Sequence, residues 1–277
     1  IAAFEASWEP KGVTIARMAE TLSLGLDSFV FFDDNPAEGE QVRQALPDVE
    51  VVDVPEEPAE FVRILQSGLW FETAGLTQAD RERAGQYTVE RQRRELQENF
   101  ASLDDYLRSL EMTAEVRAID EAEMPRVVQL LGKTNQFNLT TRRHSAEDVG
   151  RMLADPRSIG LTVRIKDKFG DYGLVAVMIG VADEGSDAVR VDTWLMSCRV
   201  IGRTAEQFTL RQFLERAMAL GYRRVVGEYL PTKKNALVAD LYDRLGFARD
   251  GGAAEGGVRY LLDLERTGPP ATFVTSA

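Results

Sequence analysis

The chain is poor in several of the residues that usually announce chemistry. Its 277 residues include one cysteine, Cys198, and one histidine, His144. A single cysteine excludes an internal disulfide framework and fits a reducing cytoplasm, the location expected here. The lone histidine reads as a solvated residue flanking a helix rather than a catalytic base. No run of about 18 apolar residues exists, which excludes a membrane-spanning helix and leaves no membrane partner expected. No basic-then-apolar leader opens the sequence, so no signal peptide is visible. Positive charge is also short, with 33 Lys and Arg against 45 Asp and Glu for a net charge of −12. A phosphate backbone needs a basic face, so nucleic acid is not an expected partner.

The deficit of positive charge is local. Residues 1–100 carry 20 Asp and Glu against 9 Lys and Arg, whereas residues 101–277 carry 25 against 24. The nearly balanced part can therefore hold basic patches, among them Arg199, Arg203, Lys233 and Lys234. Hydrophobic content of 44% and charged content of 28% are ordinary for a globular chain. The length suits two small domains or one large one.

The stretch Val191-Asp-Thr-Trp-Leu-Met-Ser-Cys-Arg-Val-Ile-Gly-Arg-Thr204 organises the larger part of the chain. It begins as an alternating strand, breaks at Ser197-Cys198, turns through Arg199, Val200, Gly202, Arg203 and Thr204, and enters a long helical pattern from Ala205. A strand feeding such a turn presents free N–H groups and a positive helix end to an anion. The plain alternative is an ordinary β–α turn. Further on, Arg223–Leu230 reads as a buried strand closed by Pro231, and Asn235–Phe247 as an amphipathic helix stopped by Gly246.

The spacing Arg199-x-x-Gly202-x-Thr204 resembles the pyrophosphate loop of GNAT-type acyltransferases, with Thr204 where that family usually has Gly or Ala. Asn235, then Tyr242 and Gly246-Phe247, resembles the last helix of that fold. The resemblance implies a GNAT-like mixed α/β domain over 111–265 that binds CoA or a phosphopantetheine arm. It also implies that Asn235 bonds the arm and Tyr242 protonates the leaving thiolate. Asp192 and Glu228, on neighbouring expected strands, are candidates for the base, and either could equally be a buried carboxylate paired with Arg199. Cys198 beside the groove is either a small buried hydrophobe or a thiolate nucleophile favoured by Arg199 and the helix N-terminus.

At the other end, Phe29–Phe32 reads as a buried parallel-type strand with Asp33 and Asp34 at its carboxyl end. Open α/β sheets place their ligand sites there. Adjacent carboxylates ask for a cation such as Mg²⁺, or else act as a helix cap with a solvated neighbour. Pro36 suits the first turn of a helix ending at Leu46, and Val49–Val54 reads as a further strand.

Trp8-Glu-Pro-Lys11 followed by Phe-Phe-Asp-Asp-Asn-Pro-Ala-Glu38 resembles motifs III and IV of HAD-superfamily phosphatases, in the wording of the HAD-IIIC or FkbH-like subfamily. The fold implied for 1–57 is a truncated HAD-like, Rossmann-type parallel sheet segment. By that resemblance Lys11 steadies phosphate while Asp33 and Asp34 hold Mg²⁺. The family's Asp-x-Asp nucleophile motif precedes motif III, and nothing before Lys11 supplies it. The expectation is a piece of a longer protein, cut inside the HAD domain and phosphatase-inactive by itself.

Residues 58–110 read as a helical linker, with a charge-crowded helix over Thr77–Phe100 at its centre. The tail, 266–277, reads as disordered. Between two expected helices lies a polar loop carrying Asn135, Gln136, Asn138, Thr140, Thr141 and Arg142. It is either a hydrogen-bonded loop or a surface for substrate or carrier, and its wording also resembles FkbH-like proteins.

The resemblance as a whole implies an FkbH-like glyceryl transferase/phosphatase. Such a protein loads a three-carbon unit from phosphorylated 1,3-bisphosphoglycerate onto an acyl carrier protein for polyketide chemistry. Two alternatives stand beside it: an acetyl-CoA-dependent N-acetyltransferase with a degenerate HAD appendage, and a non-catalytic carrier-docking module.

Overall fold

In a computed structural model, residues 3–22, 24–71, 89, 92–93, 96–253 and 256–277 are described. The chain divides into two units, Ile1–Glu95 and Leu96–Ala277.

The first unit is a small α/β assembly. Helix α1 (Lys11–Leu22) precedes a two-residue strand β1 (Val30–Phe31), helix α2 (Pro36–Ala45) and strand β2 (Glu50–Val51), and β1 and β2 pair in parallel. Asn35 caps α2 through its side chain, which accepts the Ala37 N–H at 3.1 Å, and Pro36 occupies the first turn. Ile15, Val42 and Val49 form the buried core, with Phe29, Phe31 and Leu46 packed against them. Helix α3 (Phe61–Ser67) follows. Most of the helix expected over Thr77–Phe100 lies outside the described residues.

The second unit is a mixed α/β fold on an eight-stranded sheet. Its first elements are α4 (Leu103–Ser109), β3 (Thr113–Ala118), α5 (Met124–Lys133) and α6 (Ala146–Leu153). They are followed by β4 (Ile159–Asp167), β5 (Gly170–Ala182), β6 (Ala188–Met196) and α7 (Ala205–Ala219). Next come β7 (Arg224–Tyr229), the one-turn helix α8 (Leu241–Arg244), β8 (Ala248–Gly252), β9 (Val258–Asp263) and β10 (Thr275–Ser276). The strand order is β10-β3-β4-β5-β6-β7-β9-β8. The β10–β3 and β6–β7 pairs are parallel and the others antiparallel.

Both faces of the sheet are covered, which is why its central strands lack polar–apolar alternation. Val127, Leu131 and Val149 of α5 and α6 pack on Leu174, Val177 and Ile179 of β5. Phe208, Phe213 and Leu214 of α7 lie in the larger cluster with Val175, Met178, Val191 and Trp194.

Three sequence readings change here. Tyr106, Leu107 and Leu110 are buried in that larger cluster, so the end of the supposed linker belongs to the second unit. The tail is not a loose end. Val274 is 3% exposed, the Thr275 and Ala277 N–H groups donate to Met112 and Ala114, and β10 extends the sheet. An open edge beside β3 offers unpaired backbone groups, and a short apolar segment satisfies them. The helix expected over Asn235–Phe247 is a 3₁₀ turn at Ala236–Val238 followed by α8; nothing in the local sequence explains the break. No helix of the described residues is long and apolar enough to cross a membrane.

Candidate functional site

The site forms where the parallel strands β6 and β7 part. Their pairing runs only from Ala188–Arg224 to Arg190–Val226, although β6 continues to Met196 and β7 to Tyr229. Just past the last pair, β6 bulges. Gly180 faces Val191 and Ile179 faces Thr193, so Asp192 is the extra residue. A bulge re-aims a side chain and adds local twist, and both effects serve the parting.

Asp192 lies at the centre of a charged cluster. Its Oδ2 is 2.7 Å from His144 Nε2 and accepts the Thr193 hydroxyl at 3.0 Å. Arg142 reaches Asp192 Oδ1 at 3.4 Å and Glu228 Oε2 at 2.8 Å. Arg190 lies 3.5 Å from each of the same two oxygens. Two guanidinium groups thus balance two carboxylates, and the imidazole side chain, 17% exposed, closes the group. A carboxylate only accepts hydrogen bonds, so Nε2 carries the imidazole proton and Nδ1 is the nitrogen able to take another. Of the expected base candidates, Asp192 and Glu228 therefore stand together, joined by Arg142 rather than Arg199.

His144, read from the sequence as a solvated residue flanking a helix, is instead largely buried and bonded to Asp192. It precedes the N-cap of α6, where Ser145 and Asp148 form a capping box. That box fixes the entry angle of the chain. The only available signal was position, two residues past Arg142 at the end of the polar loop.

That loop follows the hydrogen-bonded alternative. Residues 137–139 enter the gap between β6 and β7 as a short strand, with Asn138 and Leu195 in an antiparallel bridge. The Leu139 N–H donates to Trp194 O at 3.3 Å and the Met196 N–H to Phe137 O at 3.0 Å. On the other side the Leu230 N–H donates to Leu139 O at 2.9 Å. Phe137, Asn138, Leu139 and Thr140 are all 2% exposed or less. Asn138 Oδ1 accepts the Thr141 N–H at 2.8 Å and holds Thr141 in a left-handed backbone, φ 52°. The sharp turn brings Arg142 back onto Asp192, while the Thr140 hydroxyl donates to Asp192 O. Asn135 accepts from Arg143, and Gln136 is exposed.

Asn235 is spent on this arrangement. It is fully buried, its Nδ2 donates to Asn138 O and Leu230 O at 2.9 Å each, and its Oδ1 accepts from the Thr232 N–H at 2.7 Å. It therefore has no group left for a pantetheine amide. Tyr242 is likewise a core residue, 1% exposed, between Trp194, Phe247 and Tyr260. Its ring presses on Gly227, where an added Cβ would lie 2.5 Å from ring carbons. Burial pushes the Tyr242 hydroxyl far above the usual phenol range. That hydroxyl faces the Glu228 main chain but makes no hydrogen bond of normal geometry among the described residues.

The turn after β6 is built as the sequence implied. Gly202 has φ 75° and Thr204 φ 58°, a backbone that favours Gly at either position. Thr204 is held there by the tail, its hydroxyl accepting the Phe273 N–H at 3.0 Å and bonding Thr272. Arg203 stacks on Tyr172 and donates to its hydroxyl, Arg199 Nε donates to Ser197 Oγ at 3.2 Å, and Val200 is buried. Glu206, in the first turn of α7, is 4% exposed, and its Oε2 has no hydrogen-bond partner among the described residues. Burial pushes its acidity down and its pKa up, against the pull of backbone N–H groups and of Arg244. Cys198 is exposed. It lies six residues past Asp192 along a mostly extended strand, about 15–20 Å away, so it forms no pair with the His144–Asp192 group.

The resemblance implied that Asn235 bonds a pantetheine arm. Here the β6 edge is bonded by residues 137–139, and the Asn235 side chain is engaged within the fold.

In the first unit, Lys11 Nζ lies 4.0 Å from Asp33 Oδ2 and 3.4 Å from Glu38 Oε2. Asp33 Oδ1 accepts the Asn35 N–H at 2.9 Å, and Asp34 is exposed. Among the described residues no three acidic, histidine or cysteine side chains gather as a metal cluster.

No family model matches the chain, and no curated protein does. Among solved structures, similarity is found to the ribosomal-protein-S18-alanine N-acetyltransferase from Escherichia coli, with 12% identity, TM-score 0.42, and 56% of this chain and 97% of that one covered. It is also found to the spermidine N-acetyltransferase from Vibrio cholerae in complex with CoA and spermine, with 11% identity, TM-score 0.43, and 56% and 97% covered. A third is a domain from Methanocaldococcus jannaschii, with 12% identity, TM-score 0.43, and 55% and 99% covered.

Proposed function

We propose that the second unit is an acyltransferase-type domain of GNAT-like architecture whose acid–base centre is the His144–Asp192 pair. The observation that carries this reading is the 2.7 Å contact between His144 Nε2 and Asp192 Oδ2, placed on the bulge where β6 and β7 diverge. Asp192 holds the ring in one tautomer and one orientation, leaving Nδ1 to take the proton of an incoming amine, hydroxyl or thiol. Arg142 and Arg190 hold Asp192 and Glu228 in place. No step is assigned to a pantetheine arm or to Mg²⁺.

Within the acyl-transfer class, the acetyl-transfer alternative asks for less, because it draws on the second unit alone. Glyceryl transfer to an acyl carrier protein, the FkbH-like reading, further needs a phosphate site in the first unit. In its favour stand the wording of residues 8–38 and the approach of Lys11 to Asp33. The carrier-docking reading without catalysis draws on one observation, the filling of the parting by residues 137–139.

The test is acyl transfer by the full chain from a small synthetic acyl thioester to amine, hydroxyl and thiol acceptors. His144→Asn is expected to lower the rate by about 10²–10⁴-fold, and Asp192→Asn by a comparable factor. A rate indifferent to His144, or no transfer by the parent chain, removes the acid–base assignment and leaves the docking reading.

A further inference from the structure

We infer that residues 137–139 are a permanent part of the sheet and take the place that a thioester-bearing pantetheine arm would need, so that no such arm enters between β6 and β7. The inference goes beyond the proposed acid–base centre and stands on different contacts.

Where two parallel strands part, each is left with an inner edge of unpaired N–H and C=O groups. Buried groups of that kind need partners. An incoming arm with amides can supply them, and so can another piece of the chain. Here the chain does so on both sides. Leu139 N–H and Phe137 O serve β6, and Leu139 O serves the Leu230 N–H at the end of β7. The inserted piece is no loose flap. Phe137 packs edge-on against Trp194 at 6.0 Å, and Phe137 and Leu139 belong to the main buried cluster. Asn235 ties both borders together by donating to Asn138 O and Leu230 O.

Withdrawing the piece would strand at least five polar groups and open an apolar void beside Trp194. Each orphaned buried group would bear its full desolvation cost, and the Phe and Leu side chains would lose their apolar burial. The sum is comparable with the whole stability of a domain. Thermal fluctuation or weak ligand binding does not cover it. The turn after β6 is also engaged, since Arg203 donates to the Tyr172 hydroxyl. Thr204 is tied to the tail as well. An acyl donor must therefore reach His144 from the open face of the cluster, and its carrier must bind outside the parting.

Hydrogen–deuterium exchange on the full chain, alone and with CoA or 4′-phosphopantetheine at about 1 mM, a level that saturates even weak sites, tests the inference. The amides of Leu139, Met196 and Leu230 should exchange as slowly as those of β5, and neither compound should change them. Binding that leaves these three amides untouched supports an arm lying elsewhere. Fast exchange of the three in the free chain, or a ligand-dependent change at them, overturns the inference. Because the exchange experiment reads the parting and the His144 variants read the acid–base pair, each can fail without the other.

Discussion

Glu206 sits in the first turn of α7, where a negative charge is favoured by the helix end, yet it is buried and one of its oxygens finds no partner among the described residues. Burial raises its pKa above the ordinary carboxyl value, so the folded chain holds that proton more tightly than the unfolded chain. Between the unfolded value of about 4.3 and the raised folded one, stability therefore falls as pH rises. Glu206→Gln keeps the acceptor for the backbone N–H groups and removes the buried charge. The variant should be more stable than the parent at pH about 7.5 by roughly 1 kcal/mol, with the gain gone below about pH 4. Urea melts at the two pH values measure it, and a variant weaker than its parent at the higher pH would refute the assignment. His144 makes the complementary point. Nothing in its immediate neighbours marks it, and its partner lies 48 residues away.

At the scale of elements, the piece 137–139 and the residue that secures it act together. Asn235 bonds the inserted strand, the end of β7 and the Thr232 turn at once. Asn235→Ala leaves several buried groups unpartnered and should cost about 3 kcal/mol or more in urea unfolding. A loss under about 1 kcal/mol would mean that the inserted strand is held mainly by its own apolar packing. The tail is a second such element. Thr272 and Phe273 grip Thr204, and Val274 is buried, so the turn after β6 owes its left-handed threonine to residues about 70 positions downstream.

For the whole molecule, the division falls between Glu95 and Leu96, while the main buried cluster of the second unit draws on Tyr106 at one end and Val274 at the other. A fragment of residues 96–277 should fold by itself and unfold in one cooperative transition. A fragment limited to 111–265 loses Tyr106, Leu107, Leu110 and Val274. At about 1.5–3 kcal/mol per buried apolar side chain it forfeits most of a typical domain's stability. Thermal melts of the two fragments decide it, and a 111–265 fragment as stable as the longer one would refute the boundary. Within the first unit, the parallel pair β1–β2 with α2 between them is the βαβ pattern that its apolar runs implied.

Local pattern was sufficient for the strands β6 and β7, the long helix α7 and the glycine turn at Gly202. Periodicity, caps and left-handed glycines are properties of neighbours in the chain. It also brought Asp192 and Glu228 forward as separate candidates on neighbouring strands, without Arg142, the residue that joins them. Only the tertiary structure decided what the polar residues near them do. Asn235, implied to bind a pantetheine arm, satisfies backbone groups instead, and Asn138 follows the hydrogen-bonded-loop alternative, since parting two strands creates unpaired edges that no sequence window contains. Tyr242 became core for the same reason: Gly227, on a distant strand, vacates the space that its ring fills. His144 acquired a partner because a bulge turned Asp192 toward it, and a bulge is a mismatch between two strands, invisible in either one alone.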